Sequence, residues 1–167
     1  MSLHETLIED HETGGGLPSN GAMNARGLRL TKAFEGYSKK PYRCPANVWT
    51  IGHGATRGLD GKRINGTHKH ITPTEGESLL RRDLATAERA VRRLGGPYLN
   101  RNQFSACVSF VYNLGSGSFN GSTLRKMLLR GDLDEAAGQF RRWCFARGRK
   151  LPGLLRRRLA ERDLFLS

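Results

Sequence analysis

Residues 30–54 read LTKAFEGYSKKPYRCPANVWTIGHG, and the pattern of this segment changes at Gly36. Before Gly36 the sequence predicts a helix, because Asn24 can act as its N-cap and the glycine can end it. After Gly36, tyrosine, valine, tryptophan and isoleucine are separated by proline and glycine, which is typical of a small antiparallel sheet with irregular loops. We therefore expect residues 37–72 to form a small sheet that directly follows a helix.

The remainder of the chain predicts helices. Thr72-Pro73-Thr74-Glu75 is a capping box with proline at the first helical position, and apolar residues behind it recur in steps of three and four. Further helix starts are predicted at Asn100, Ser122 and Asp132, the last through a second capping box with Glu135. The predicted fold class is α+β and mostly helical, with a small N-terminal lobe that carries a short antiparallel sheet and a larger all-helical C-terminal lobe. A cleft between two such lobes is a common ligand site.

The length of 167 residues corresponds to one domain. Residues 1–22 differ from the rest, because a short apolar pattern is followed by the glycine-rich stretch 14–21, which is typical of a linker. We expect residues 1–22 to be a flexible N-terminal extension and residues 23–167 to be the folded domain. No segment has the roughly 20 apolar residues of a membrane helix or the pattern of a signal peptide. Three cysteines at irregular spacing exclude a disulfide framework and a CxxC metal site, and they indicate synthesis in a reducing cytoplasm.

The charge distribution is uneven. The chain carries 28 lysines and arginines against 15 aspartates and glutamates, a net charge of +13. Residues 1–25 contain four acidic residues and no basic one, so the rest has 28 basic and 11 acidic residues and a charge of +17. Such a surface attracts nucleic acid, acidic cell-wall polymers or anionic lipid, and charge alone does not choose among them.

Glu35, Cys44 and Thr50 are the candidate reactive residues, although each has an ordinary interpretation when taken alone. A carboxylate at a helix end is usually solvated, a single cysteine is usually a small buried hydrophobe, and a threonine in a strand-forming segment is usually structural. The negative end of the helix dipole and a partly desolvated position both disfavour the ionised form of Glu35. A neighbouring cation such as Arg43 would favour the thiolate form of Cys44.

The spacing of these three residues resembles the catalytic triad of the phage T4-type lysozymes, also called endolysins or muramidases. The family's pattern is Glu-x8-Asp-x5-Thr, and this sequence has cysteine where aspartate is usual. Residues 30–36 are similar to the family's segment that leads up to the acidic residue of the triad. Residues 50–56 are similar to the family's glycine-rich signature. Further similar blocks follow in the same order, at residues 71–75 and 79–84, 103–115, 122–124, 142–143 and 153–161. The resemblance thus covers residues 24–166.

This resemblance implies hydrolysis of the β-1,4 bond between N-acetylmuramic acid and N-acetylglucosamine in peptidoglycan, with no metal or cofactor. Glu35 would be the proton donor, because a glycosidic oxygen is a poor leaving group unless it is protonated as the bond breaks. The resemblance also implies inversion, with a water held between Thr50 and Cys44. Cys44 could act as base, nucleophile or electrostatic stabiliser. We favour a water-directing or electrostatic role, because attack by sulfur would form a thioglycoside that protonation hardly activates.

Five further residues are candidates for contacts with the glycan. Gly52 and His53 belong to the glycine-rich signature, in which His53 replaces the usual tyrosine. Asn113, Phe119 and Ser122 lie around a predicted turn between helices that would border the cleft, and a core or capping role is the alternative for each of them. The histidines of the chain lack acidic or cysteine partners at ligand-like spacing, so no metal site is predicted.

Peptidoglycan is the expected partner, and the basic residues near the C-terminus are expected to recruit anionic cell-envelope polymers. A basic amphipathic helix predicted over residues 154–165 is also a candidate for contact with a membrane surface. We expect a monomer that binds no specific nucleic acid. The expected route is synthesis in the host bacterial cytoplasm and release to the cell wall, or periplasm, through a holin-type pore. Two alternatives are a wall-binding or membrane-permeabilising protein with weakened catalysis, and a nucleic-acid-binding module that reads phosphates with its helices.

Overall fold

The computed structural model describes residues 21–167. The predicted N-terminal extension therefore lies outside the described residues except for its last two positions. Over the described range the helices are α1 (Ala25–Glu35), α2 (Pro73–Leu94), α3 (Arg101–Leu114), α4 (Ser116–Asn120), α5 (Thr123–Arg130), α6 (Leu133–Gln139) and α7 (Pro152–Phe165). The strands are β1 (Ser38–Arg43), β2 (Trp49–Gly52), β3 (Phe145–Ala146) and β4 (Arg149–Lys150), and a 3-10 turn follows α6 at Phe140–Arg142. This confirms the predicted mostly helical α+β class.

The small lobe is built on the antiparallel pair β1–β2, whose register places Tyr42 opposite Thr50. Its core is a small cluster formed by Ile51, Ala55, Ile64 and Leu79. The chain approaches α2 closely here, because a Cβ at Gly76 would lie 2.7 Å from the ring of Tyr37. Glycine at this position lets the small lobe pack directly on the helix.

The large lobe has a separate and larger core centred on α3. Phe110 contacts Phe140 and Trp143 edge-on, with ring centroids 5.6 and 5.4 Å apart. Helix α2 contributes Leu79 to the small core and Leu80 and Leu84 to the large one. This helix therefore joins the two lobes, and α1 packs against both α3 and α7.

Most predicted helix starts are confirmed by their capping contacts. Asn24 accepts a hydrogen bond from the Gly27 N–H, and reciprocal capping boxes are present at Thr72 and Asn100. The second capping box predicted at Asp132 is wrong. Asp132 does precede α6, but its backbone lies at ψ 69°, outside the extended region of the other caps, and its side chain makes no capping hydrogen bond.

The predicted amphipathic character of the last helix is also wrong. Helix α7 buries three charged residues, Arg157, Arg158 and Glu161, together with Leu164 and Phe165. Its inward face is therefore part of the fold. None of the helices between residues 21 and 167 combines the length and apolar content needed to cross a bilayer.

Candidate active site

Glu35 is the last residue of α1, and it lines a cleft. Gly36 ends the helix at φ 70°, with its N–H donating to the carbonyl of Lys32 at 3.1 Å. The Glu35 side chain is 22% exposed and accepts a 2.7 Å hydrogen bond from Nη1 of Arg157. The carboxylate is thus held by a residue 122 positions away in sequence.

Arg157 binds Glu35 and also a second carboxylate, that of Glu161, which is fully buried. Its Nε donates to Oε1 of Glu161 at 3.1 Å. The same oxygen accepts bonds from Oγ of Ser109 at 2.8 Å and from Nη2 of Arg158 at 3.1 Å. Two arginines and two glutamates therefore form one hydrogen-bonded network in which the formal charges balance. We call these four residues, Glu35, Arg157, Arg158 and Glu161, the buried ion network.

The buried ion network adds a contact at Glu35 that the sequence did not indicate, because Nη1 of Arg157 lies 2.7 Å from its Oε1. Burial raises the pKa of Glu161 and lowers the pKa of Arg158, and the opposite charge of each acts against the shift of the other. A signal for this network was present in the sequence, because Glu161 follows Arg157 at helical i,i+4 spacing.

His53 contacts the turn that follows Glu35. Its Nδ1 makes a short contact with the carbonyl oxygen of Gly36, and its ring lies 5.3 Å from the ring of Tyr37. Only 5% of His53 is exposed, and Gly52 before it adopts φ 64° with Gly76 packed against it. Of these two predicted glycan contacts, His53 is therefore bound to the turn after Glu35, and Gly52 lets β2 approach α2 closely.

Cys44 and Thr50 lie together on the small lobe, where β1 and β2 are joined by a tight loop. The Cys44 N–H donates to the carbonyl of Val48 at 3.0 Å, and the Thr50 hydroxyl donates to the same carbonyl at 3.0 Å. Hydrogen bonds from the backbone at Val48 and Ala46 lower the pKa of the half-buried Cys44 thiol. The loop thus favours a thiolate beside a threonine hydroxyl.

Arg43 has a different role from the one expected. Its guanidinium lies over the ring of Trp49, 4.7 Å from the centroid, and donates to the carbonyl of Asn47 at 2.9 Å. Arg43 therefore stabilises the loop between β1 and β2. The pKa of the Cys44 thiol is lowered by the backbone of this loop.

The cleft beside Glu35 has a volume of about 820 Å³. Its walls are the end of α1, the end of α3 and the start of α7, which contribute Glu35, Asn113 and residues 151–154 with Arg156 and Arg157. Asn113, a predicted glycan contact, therefore lies in the same cleft as Glu35. Its Oδ1 accepts a 3.0 Å bond from Nη2 of Arg158, which links the wall of the cleft to the buried ion network.

Phe119 and Ser122 take the alternative roles considered for them. Phe119 is fully buried and packs edge-on against Phe110 with ring centroids 6.2 Å apart, so its ring belongs to the core and is unavailable to a sugar. The Ser122 hydroxyl caps α5 by accepting from the Arg125 N–H at 3.0 Å and donates to the Phe119 carbonyl at 2.7 Å. Ser122 also borders a smaller hollow of about 330 Å³ with Gln139 and Trp143.

Comparisons with known proteins point to one family. The family model described as phage lysozyme matches residues 32–161. An endolysin of Acyrthosiphon pisum secondary endosymbiont phage 1 is 37% identical over 149 residues, which cover 87% of this chain and 98% of that protein. A SAR-endolysin of Enterobacteria phage PA-2 is 36% identical over 157 residues, covering 92% and 90%. The crystal structure of a P22 lysozyme mutant superposes with a TM-score of 0.81 at 34% identity, covering 87% of this chain and 99% of that one.

Proposed function

The chain belongs to the phage lysozyme family and is a peptidoglycan-hydrolysing endolysin, and we propose that Glu35, Cys44 and Thr50 carry its chemistry. The observation that supports this most is that Glu35 lines the cleft of about 820 Å³, where Arg157 binds one of its two oxygens. The substrate bond is the β-1,4 linkage between N-acetylmuramic acid and N-acetylglucosamine.

Glu35 is the general acid in this proposal. Arg157 donates to Oε1 and leaves Oε2 to carry the proton toward the glycosidic oxygen. When Glu35 is protonated, Arg157 keeps one carboxylate partner through the bond from its Nε to Glu161, and the network as a whole carries one positive charge. The bond from C1 to the glycosidic oxygen then breaks as that oxygen takes the proton and becomes the hydroxyl of the leaving sugar.

Cys44 and Thr50 hold the attacking water. A nucleophilic water must donate its protons to acceptors so that a lone pair points at C1. The Thr50 hydroxyl proton is already given to the Val48 carbonyl, so its oxygen is available as an acceptor. A Cys44 thiolate is a second acceptor beside it and takes up the water proton as the oxygen bonds to C1. Water on the face opposite Glu35 inverts the configuration at C1.

The stereochemistry and the origin of the new oxygen test this proposal. Purified peptidoglycan would be digested in ¹⁸O-labelled water, with early products followed by proton NMR and mass spectrometry. The proposal predicts the α-anomer first, with one ¹⁸O at the new reducing end of the muramic acid. Early β-anomer would refute inversion, and a 1,6-anhydro product without ¹⁸O would refute hydrolysis.

We also propose the cellular setting of the enzyme. The monomeric enzyme is made in the bacterial cytoplasm, reaches the wall through a holin-type pore, and is concentrated there by anionic envelope polymers that attract its basic surface. Expression in a host with and without a pore-forming partner tests the route. Equal lysis times in the two hosts would contradict dependence on the pore.

A further inference from the structure

A second surface feature stands apart from the catalytic residues. Between Glu135 and Glu161 the sequence contains eight basic residues and no acidic one. Arg157 and Arg158 are buried in the ion network. The other six are exposed, and none of them forms a salt bridge with any residue of the range 21–167: Arg141, Arg142, Arg147, Arg149, Lys150 and Arg156. Three of these six lie on the hairpin formed by β3, β4 and the loop between them, residues 145–150, which we call the basic hairpin.

The basic hairpin also exposes a large aromatic side chain. Phe145 is 60% exposed and lies opposite Lys150 in the ribbon. Opposite residues of an antiparallel pair share a face, and successive residues alternate between faces. Leu151, which borders the catalytic cleft, follows opposite the buried Cys144 and is therefore on the other face. The Phe145 ring thus faces away from the cleft, where a bound glycan would not reach it.

The tip of the basic hairpin is strained. Its two loop residues, Arg147 and Gly148, have φ values of 50° and 75°. A two-residue loop with both residues in the left-handed region favours asparagine or glycine, and a bulky side chain there carries a conformational cost. Arg147 retains a positive charge at the tip at the expense of local stability. Such strain is a reason to look for a function of the side chain.

We propose that the basic hairpin docks the protein on the surface of an anionic phospholipid bilayer. Phe145 enters the boundary between headgroups and acyl chains, while Lys150 on the same face and Arg147 at the tip contact lipid phosphates. A wall polymer or a nucleic acid would satisfy the cations equally well. Only a bilayer offers an apolar layer directly beneath its phosphates, and this layer favours burial of the exposed ring.

Vesicle binding by the full chain tests this proposal without reference to catalysis. The protein is sedimented with vesicles of phosphatidylcholine alone or mixed with phosphatidylglycerol, and separately with lipid-free peptidoglycan sacculi. The variants are Phe145→Ser and Arg147→Gly. The matched control is Arg26→Ser, which removes one exposed arginine from α1. Thermal unfolding is followed for every variant.

The expected result is binding to the phosphatidylglycerol vesicles that weakens about fivefold in Arg147→Gly and at least as much in Phe145→Ser. Arg147→Gly should also unfold at an equal or higher temperature, because glycine relieves the strain. Arg26→Ser should change vesicle binding less than about twofold. Equal losses in Arg26→Ser and Arg147→Gly, or equal binding to both vesicle types, would overturn the proposal. So would hairpin variants that weaken binding to sacculi but not to vesicles.

Discussion

Replacing Glu161 with glutamine should cost the fold more stability than any surface change. The substitution keeps the size of the side chain and removes the charge that faces Arg157 and Arg158. Those two side chains are only 5% and 0% exposed. Arg157 would still have Glu35 as a partner, but Arg158 would have no carboxylate within salt-bridge distance among residues 21–167.

The size of the effect follows from this geometry. Removing one partner of a buried ion pair leaves an uncompensated charge and costs about 3–5 kcal/mol. Ser109 would also lose its bond to a charged acceptor. Since Arg157 keeps its bond to Glu35, we expect the free energy of unfolding to fall by about 3 kcal/mol. For a domain of this size that corresponds to a lower unfolding temperature by roughly 10 °C.

Urea unfolding monitored by circular dichroism measures this loss. The matched control is Asp163→Asn, which removes the exposed carboxylate paired with Arg162 on the same helix at 2.7 Å. An exposed pair contributes about 0–1 kcal/mol, so the control should be nearly neutral. A loss below about 1 kcal/mol for Glu161→Gln, or an equal loss in both variants, would refute the role given to the buried ion network.

Three further results are expected. Cys44→Ala should lose most activity on peptidoglycan, on the order of 100-fold, while Cys44→Asp should keep it, because a carboxylate can also accept a proton from water. Full activity of Cys44→Ala would show that Cys44 has only a packing role. Alkylation of Cys44 by iodoacetamide should reach half its maximal rate at a lower pH in the folded protein than in the unfolded protein, because hydrogen bonds lower the pKa of the folded thiol. The same pH of half-maximal rate in both states would contradict this. Cell lysis should weaken as salt rises, because salt screens the attraction between exposed charges; salt-independent lysis would argue against electrostatic recruitment.

The helices were predictable because their signals are local. Thr72 and Asn100 mark the starts of α2 and α3, because each makes its capping contacts within three residues. The basic hairpin was not predicted, because strands of two residues are too short to show alternation. The failed cap at Asp132 shows the limit of such signals, since the residue type was suitable but the backbone angle was not.

The site was predictable only in part, because its electrostatics depend on contacts that are distant in sequence. The resemblance to a known family gave Glu35, Cys44 and Thr50 their expected roles. It did not indicate that Arg157 reaches Glu35, because the basic residues of α7 look like a solvated surface when only their sequence is read. Phe119 was ambiguous for a similar reason, since a short helix gives no periodicity to separate core from cleft.

The assignment of Glu35 as proton donor is tested most directly by counting new reducing ends. Purified peptidoglycan would be incubated with the wild-type chain or with Glu35→Gln, and thermal unfolding would establish that the variant is folded. A general acid contributes about 10²–10⁴-fold, so the wild type should release reducing ends and the variant should release them at least 100-fold more slowly. A folded Glu35→Gln variant that releases them at nearly the wild-type rate would contradict the assignment.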